Sequence, residues 1–155
     1  MKKIITMLIL CTLCATAAQA GKTLTASIEK EIKQRAETKW PGDYAMQKSE
    51  IDDQTKDFKL FHSMKAPSGV KSSVFKDMKK RAETKWTGDY SMQLYTLKDQ
   101  SVDYLAFQNM SAPRGMSSST LKDLKMVAES KWPGDYSMQL YELKKQVTAW
   151  ITLNS

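Results

Sequence analysis

Cysteine is nearly absent from this 155-residue chain, and both copies, Cys11 and Cys14, lie close to its N-terminus. Histidine occurs once, as His62. Because a zinc site is usually built from several cysteine and histidine side chains, the rest of the chain does not offer a typical zinc shell. It also has no cysteine to act as a nucleophile and no acidic calcium loop of the Asp-x-Asp-x-Asp-Gly type. We therefore expect no catalytic residue, no bound metal ion and no cofactor.

Long apolar runs are also absent beyond the first 20 residues. The N-terminal segment has a pair of lysines followed by an apolar stretch from Ile4 to Ala15, which is too short to span a bilayer as a helix. A small-x-small signal-peptidase pattern then ends at Ala20. This order of features predicts a signal peptide at residues 1–20, cleaved after Ala20, and a periplasmic or secreted protein without a transmembrane helix. The alternative, an uncleaved membrane anchor, is disfavoured by the small residues at the end of the stretch.

Neither sign of charge dominates, since 24 basic residues accompany 17 acidic ones for a formal charge of +7. The charges are dispersed along the chain, as expected for a well-solvated surface. The densest basic run, from Lys76 to Lys85, is a weak candidate for binding a polyanion. Because the protein is predicted to be exported, we do not expect nucleic acid to be its main partner.

One motif occurs three times at a fixed spacing. It reads Lys-Trp-Pro-Gly-Asp-Tyr at residues 39–44 and 131–136, and Lys-Trp-Thr-Gly-Asp-Tyr at residues 85–90. Successive copies are 46 residues apart, a period typical of helical repeat proteins. The predicted repeats cover residues 22–67, 68–113 and 114–155 of one cooperative domain, 22–155.

Each repeat begins with the periodicity of an amphipathic helix. In the second repeat Phe75, Met78, Ala82 and Trp86 are spaced 3, 4 and 4 residues apart, which places them on one helical stripe. A serine before the stripe is predicted to cap the helix, because its hydroxyl can accept a hydrogen bond from a free amide of the first turn. The predicted cap residues are Ser27, Ser73 and Ser119.

The repeated motif is predicted to end this helix and to start the next one. Proline after the tryptophan disfavours helical geometry in the residue before it, glycine permits a tight turn, and aspartate can cap the following helix. A second helix is predicted from about Tyr90 to Gln108. We assign a structural role in this turn to Trp40, Gly42, Asp43, Trp86, Gly88, Asp89, Trp132, Gly134 and Asp135.

These elements predict an all-α protein of three helix-turn-helix hairpins, stacked as a short solenoid or as a six-helix bundle. A single hairpin of this size cannot bury enough apolar surface to fold alone, so neighbouring hairpins must share their faces. Lys48 in the first repeat replaces the leucines found at residues 94 and 140. This replacement predicts that the first repeat is a polar cap of the stack.

The lysine before the tryptophan and the tyrosine after the aspartate form the candidate binding surface. Aromatic residues repeated along a stack can bind an extended ligand, such as a glycan strand, a peptide or a polyanion, through several weak contacts. Alternatively, the aromatic residues close the core of each hairpin, which is the interpretation that we favour for the tryptophans. The candidate surface consists of Lys39, Tyr44, Lys85, Tyr90, Lys131 and Tyr136.

The lack of catalytic groups favours a non-enzymatic, exported helical-repeat protein that acts as a binding or scaffold module at the bacterial envelope. The expected partner is a protein or an envelope polymer. The alternative is a secreted or periplasmic inhibitor or effector that binds a single enzyme or host partner. A third hypothesis, an enzyme that uses acidic or tyrosine residues of the turn, is disfavoured because an enzyme rarely needs three equal sites.

Overall fold

The computed structural model describes residues 23–154, which form six α-helices and no β-strand. The prediction of an all-α protein is therefore confirmed. The predicted signal peptide lies outside the described residues. The helices are α1 (Ala26–Lys39), α2 (Tyr44–Ser63), α3 (Ser72–Lys85), α4 (Tyr90–Asn109), α5 (Ser118–Lys131) and α6 (Tyr136–Asn154).

The helices pair in the order of the chain. Helices α1 and α2, α3 and α4, and α5 and α6 each form a hairpin, and the longer helices α2, α4 and α6 pack side by side with α4 in the middle. Within residues 23–154 no other pair of helices approaches as closely. The short helices α1, α3 and α5 therefore lie on their own partners, and the row of long helices joins one hairpin to the next.

The first helix of each hairpin begins earlier than its sequence predicts. The predicted serine caps are wrong, because each N-cap residue lies two residues before the serine expected to fill that place. The N-cap hydroxyls of α1 and α5 accept hydrogen bonds from amides of the first turn at 3.4 and 3.0 Å, while the α3 cap contributes no side-chain bond. Hydroxyl residues lie on both sides of the starts of α1 and α5, and α3 begins at a serine without a hydroxyl cap, so the sequence alone does not set the starting position. The N-cap residues are Thr25, Lys71 and Ser117, in place of Ser27, Ser73 and Ser119.

A short linker joins each hairpin to the next. Val70 of the first linker and Met116 of the second, which each follow a glycine, are buried. A lysine of the following helix forms a hydrogen bond with each linker. Lys79 Nζ donates to the Met64 carbonyl at 2.8 Å, and Lys125 makes the corresponding bond in the second linker at 3.3 Å. Burial lowers the pKa of the Lys79 ammonium group. Each linker is thus tied to the hairpin that it leads into.

The hydrophobic core runs across the hairpins. One cluster contains Ile32 and Phe58 of the first hairpin together with Tyr90 of the second. Another joins Phe61 of α2 to the α3–α4 hairpin, and a third joins Phe107 of α4 to the α5–α6 hairpin. Because every cluster includes residues from two hairpins, the apolar side chains hold the stack together as well as the individual hairpins.

An aromatic and an apolar side chain are exposed at the ends of the stack. Tyr44 at the start of α2 is 80% exposed and Leu153 near the end of α6 is 84% exposed. The corresponding residues in the middle of the stack are buried, because there a neighbouring hairpin covers them. Lys48 is also exposed, so the outward side of α2 carries polar as well as aromatic groups.

Candidate functional site

The repeated motif forms the same turn in each hairpin. In the second hairpin Trp86 is the C-cap residue of α3, and Gly88 follows with φ +73°. Asp89 then caps α4, since its carboxylate accepts the Met92 amide hydrogen at 3.1 Å. Gln93 closes the turn by donating from its side chain to the Trp86 carbonyl at 2.9 Å. The first and third hairpins have the same bonds at 2.8–3.1 Å, so these residues shape the turn rather than a reactive centre.

The glycine of the turn gives a stability prediction with an internal control. Gly42 and Gly88 both have positive φ, and a Cβ atom at Gly42 would meet nothing within 4 Å. A Cβ atom at Gly88 would meet the Glu31 carboxylate at 2.5 Å and Arg35 at 3.4 Å, both in the preceding hairpin. Gly42→Ala is therefore expected to lower the free energy of unfolding by about 1–2 kcal/mol through backbone strain alone. Gly88→Ala is expected to lower it by about the same amount, measured by urea unfolding, because the atoms that Cβ would meet are the ends of exposed, flexible side chains. A loss at Gly88 larger by more than about 1 kcal/mol would show that these side chains cannot move aside.

The candidate lysines lie over the tryptophans that follow them. The distances from the lysine Nζ atoms to the ring centroids are 5.6 Å for Lys39, 5.4 Å for Lys85 and 5.9 Å for Lys131, within the range of cation–π contacts. Two of the three lysines also form ion pairs, Lys39 with Glu50 at 2.7 Å and Lys131 with Glu142 at 2.8 Å. These lysines are half-exposed and already have partners within the hairpin.

The middle hairpin differs from its neighbours at the tryptophan. Thr96 accepts a hydrogen bond from the Trp86 indole nitrogen at 2.9 Å. The residue in the position of Thr96 is a glutamate in each of the other two hairpins.

These two glutamates have lowered pKa values. Burial raises the pKa of Glu50, but hydrogen bonds from Lys39 and a glutamine outweigh this effect and lower the pKa overall. Hydrogen bonds from Lys131 and a glutamine likewise lower the pKa of the third-hairpin glutamate. Among the buried indole nitrogens of residues 23–154, those of Trp40 and Trp132 have no close hydrogen-bond partner, although a weaker contact from Trp40 also helps to lower the pKa of Glu50.

Lowering the pH is expected to destabilise the third hairpin, because it protonates the Glu142 carboxylate. Its pKa is lowered in the folded protein by hydrogen bonds from Lys131 and Gln146. The resulting stabilisation is fully present above the unfolded glutamate pKa of about 4.3 and is lost as the pH falls through the lower folded value. The Tm of Glu142→Gln is therefore expected to fall less than that of the wild type between about pH 6 and about pH 3. Glu37→Gln, at a more exposed glutamate, is the control and should behave as the wild type. Identical falls for the wild type and Glu142→Gln would contradict the prediction.

The three motif tyrosines have different surroundings. Tyr44 is 80% exposed, Tyr90 is 7% exposed and Tyr136 is partly buried. The Tyr90 ring contacts Phe58 of the preceding hairpin edge to face at 5.0 Å, and Tyr136 contacts Tyr104 in the same way at 5.1 Å. Burial raises the pKa of both inner phenols. Of the three candidate tyrosines, Tyr44 therefore lies at the surface, whereas Tyr90 and Tyr136 lie between hairpins.

Gln54 of α2 and Gln100 of α4 each bind the turn of the following hairpin. Gln54 Oε1 accepts the Tyr90 amide hydrogen at 2.7 Å, while Gln54 Nε2 donates to Asp89 at 3.3 Å. Gln100 makes the same pair of bonds to the third turn at 2.7 and 3.2 Å. Gln54 is 3% exposed, so these bonds are shielded from water. The conserved turn sequence of the second and third hairpins thus also binds one hairpin to the preceding one.

An arginine of the first helix in a hairpin also reaches the following turn. Arg35 pairs with Asp89 at 3.0 Å, whereas Arg81 packs its guanidinium against Gly134.

Beside Arg81 a groove of about 460 Å³ opens between the second and third hairpins. The groove is lined by Asp77, Met78, Lys80, Arg81, Thr84, Lys85, Thr96, Gln100, Gly134 and Asp135. Its charged groups are of both signs, and the backbone of the third turn forms one wall.

Exposed aromatic side chains are concentrated elsewhere, on α4 and α6. Tyr95 and Tyr141 are 62% and 61% exposed and occupy the same position in the second and third repeats. With the exposed residues one and two turns further along each helix they form a stripe that we call the outer face. The outer face consists of Tyr95, Lys98, Val102, Tyr141, Lys144 and Thr148. The turn motif does not point to these tyrosines, although their recurrence 46 residues apart is visible in the sequence.

Neither a metal-binding cluster nor a membrane-spanning helix is found in the described part of the chain. Residues 23–154 contain no group of three or more histidine, cysteine, aspartate or glutamate side chains placed to hold a metal ion. Every helix in this part of the chain is too short or too polar to cross a membrane. No model of a known protein family, no curated protein and no solved structure matches this chain. Its function must therefore be argued from its own residues.

Proposed function

We propose that this protein is a non-enzymatic binding or scaffold module, exported to the periplasm or secreted, that binds a protein or polymer of the bacterial envelope. The observation that supports this function best is the outer face, where two exposed tyrosines are accompanied by lysines. The turn motif supports it less, because two of its three tyrosines are engaged between hairpins.

The outer face has the chemistry of a recognition surface. Helices α4 and α6 pack against each other, and the axes of packed helices are typically about 8–10 Å apart. Tyr95 and Tyr141 therefore form a pair of neighbouring aromatic sites. Tyrosine offers a large apolar ring with a hydrogen-bonding tip and is enriched in interfaces and their hot spots. Lys98 and Lys144 add positive charge one turn away, which suits a partner with acidic groups beside apolar or sugar-ring surfaces.

The first hairpin provides a natural control for the outer face. Ser49 and Asp52 stand in α2 where Tyr95 and Lys98 stand in α4. The double variant Tyr95→Ser, Tyr141→Ser therefore gives the second and third hairpins the residue already present in the first. Because both tyrosines are largely exposed, the double variant is expected to keep the stability of the wild type within about 0.5 kcal/mol per site.

Affinity capture from an envelope extract tests the proposal. Immobilised wild type is expected to retain a partner that the double variant retains at least about tenfold less. Tyr44→Ser, which removes an exposed tyrosine outside the outer face, is the matched control and should capture as the wild type does. A partner held equally by all three proteins, or no capture at all, would count against the outer face as the binding site.

The asymmetry of the outer face also favours the second candidate function, an inhibitor or effector with one enzyme or host partner. The paired tyrosines occur in the second and third hairpins and not in the first, as expected of one localised site. Titration calorimetry with the captured partner separates the two functions. A one-to-one complex lost entirely on Tyr141→Ser indicates the single-partner function, whereas a gradual loss of affinity indicates a scaffold with several weak contacts.

A further inference from the structure

The side of the third hairpin that faces away from α4 exposes apolar side chains where a terminal repeat is expected to be polar. Met126 and Val127 of α5 are 57% and 52% exposed, and Leu153 of α6 is 84% exposed. The residues at the positions of Met126 and Val127 in α3 are Lys80 and Arg81. The third hairpin therefore has apolar side chains where the second has charged ones, on a side that no other described helix covers.

A groove on this side repeats the groove between the second and third hairpins. We call it the end groove, and its volume is about 560 Å³. It is lined by Asp123, Met126, Val127, Ser130 and Lys131. Each of these residues lies 46 positions after a residue that lines the groove between the second and third hairpins, which we call the inner groove. The corresponding residues of the inner groove are Asp77, Lys80, Arg81, Thr84 and Lys85. The inner groove also contains Gly134 and Asp135, which belong to the turn of the next hairpin. Because the end groove repeats the rest of the inner groove, it corresponds to a site that binds a hairpin turn.

Gln146 of α6, which holds the position of Gln100 in α4, is oriented as Gln54 is in its filled site. Gln146 Nε2 donates to the glutamate one turn earlier at 2.8 Å, and Gln54 makes the same bond at 3.1 Å. In Gln54 this orientation directs Oε1 to the Tyr90 amide hydrogen. Trp150 supplies an aromatic ring at the position of Tyr104, which contacts the tyrosine of the next turn.

The first hairpin carries a turn that matches this site. Residues 39–44 have the same six-residue sequence as residues 131–136, and the latter turn is bound by Gln100. Tyr44 is 80% exposed, whereas Tyr90 in the corresponding place is 7% exposed. The first turn therefore presents at the surface the groups that the second and third turns use to bind the preceding hairpin.

We propose that the first turn of one copy of this chain binds the end groove of another, so that copies associate head to tail. The Tyr44 amide donates to Gln146 of the next copy, its ring packs on Trp150, and Gly42 lies against Val127. Because the two surfaces lie at opposite ends of the stack, the contact does not close on itself and each added copy presents a new end groove. The proposal goes beyond the proposed function, since it leaves the outer face free.

Sedimentation velocity of the purified protein tests the association. Between about 1 µM and about 1 mM, the range of weak protein contacts, the average mass of the wild type is expected to rise past that of a dimer. Tyr44→Ala on the turn side, and the double change Val127→Glu, Gln146→Ala on the groove side, are each expected to weaken association at least about tenfold. Their Tm values should stay within about 2 °C of the wild type at low concentration. Tyr95→Ser on the outer face is the control and should associate as the wild type does.

A mixture of the two variants identifies the contact. Tyr44→Ala keeps an intact end groove and the double variant keeps an intact turn, so the mixture is expected to form heterodimers and to stop there. A wild type that stays monomeric over the whole range would overturn the proposal. A closed dimer that neither variant weakens, or a mixture that remains monomeric, would overturn it as well.

Discussion

Replacing Phe58 with alanine is expected to lower the free energy of unfolding by about 3–5 kcal/mol, the range for a large aromatic side chain removed from a core. Phe58 is fully buried, and its ring contacts the Tyr90 ring at 5.0 Å and the His62 ring at 4.4 Å. It also belongs to the apolar cluster that includes Ile32 of α1. The variant therefore loses contacts within the first hairpin and across to the second, and leaves a cavity between them.

Urea unfolding followed by circular dichroism measures this loss, and the same helix offers a control. Leu60, two residues from Phe58 in α2, is 44% exposed, so Leu60→Ala is expected to cost less than about 1 kcal/mol. A loss below about 1.5 kcal/mol for Phe58→Ala would contradict the prediction, because it would mean that the hairpins repack and fill the cavity.

Replacing Gln54 with alanine is expected to lower the free energy of unfolding by about 2–3 kcal/mol, because it leaves a buried backbone donor without its acceptor. Gln54 Oε1 is the acceptor for the Tyr90 amide, which lies at the buried start of α4. The Asp89 carboxylate loses a donor at the same time. Alanine supplies neither group, and the site is too well covered for water to replace both bonds without rearrangement.

Gln146 is the matched control, since it holds the same place in α6 and bonds to Glu142 without a following turn among the described residues. Gln146→Ala, measured at low protein concentration, is expected to cost less than about 1 kcal/mol. Equal losses for the two variants would contradict the role of Gln54 in joining hairpins and would place its contribution within α2 alone.

The hairpin turn was predictable from sequence because its determinants are local. A tryptophan at the helix end, a glycine with positive φ and a capping aspartate act within a few residues of one another, and the structure has them in these places. The helix starts were less predictable. Around Ser117 three consecutive serines offer equivalent hydroxyls, and the choice among them depends on how the linker packs.

The candidate binding surface was not predictable in the same way, because burial depends on neighbours. Tyr44, Tyr90 and Tyr136 follow nearly identical sequences, yet only the first lacks a hairpin in front of it among the described residues. The outer-face tyrosines, Tyr95 and Tyr141, end the same repeated sequence, Tyr-Ser-Met-Gln-Leu-Tyr, but recurrence alone does not say which side chains are exposed. Their exposure depends on which faces of α4 and α6 the neighbouring helices cover.

The bond between Gln54 and Tyr90 has a consequence for the order in which the protein assembles. The acceptor side chain lies 36 residues before the amide that it binds, and the same separation holds for Gln100 and Tyr136. A chain that emerges from a ribosome with its N-terminus first therefore presents each glutamine before the turn that it binds. Because a single hairpin cannot fold alone, the first two hairpins are expected to fold together, and the third can then add to a folded template.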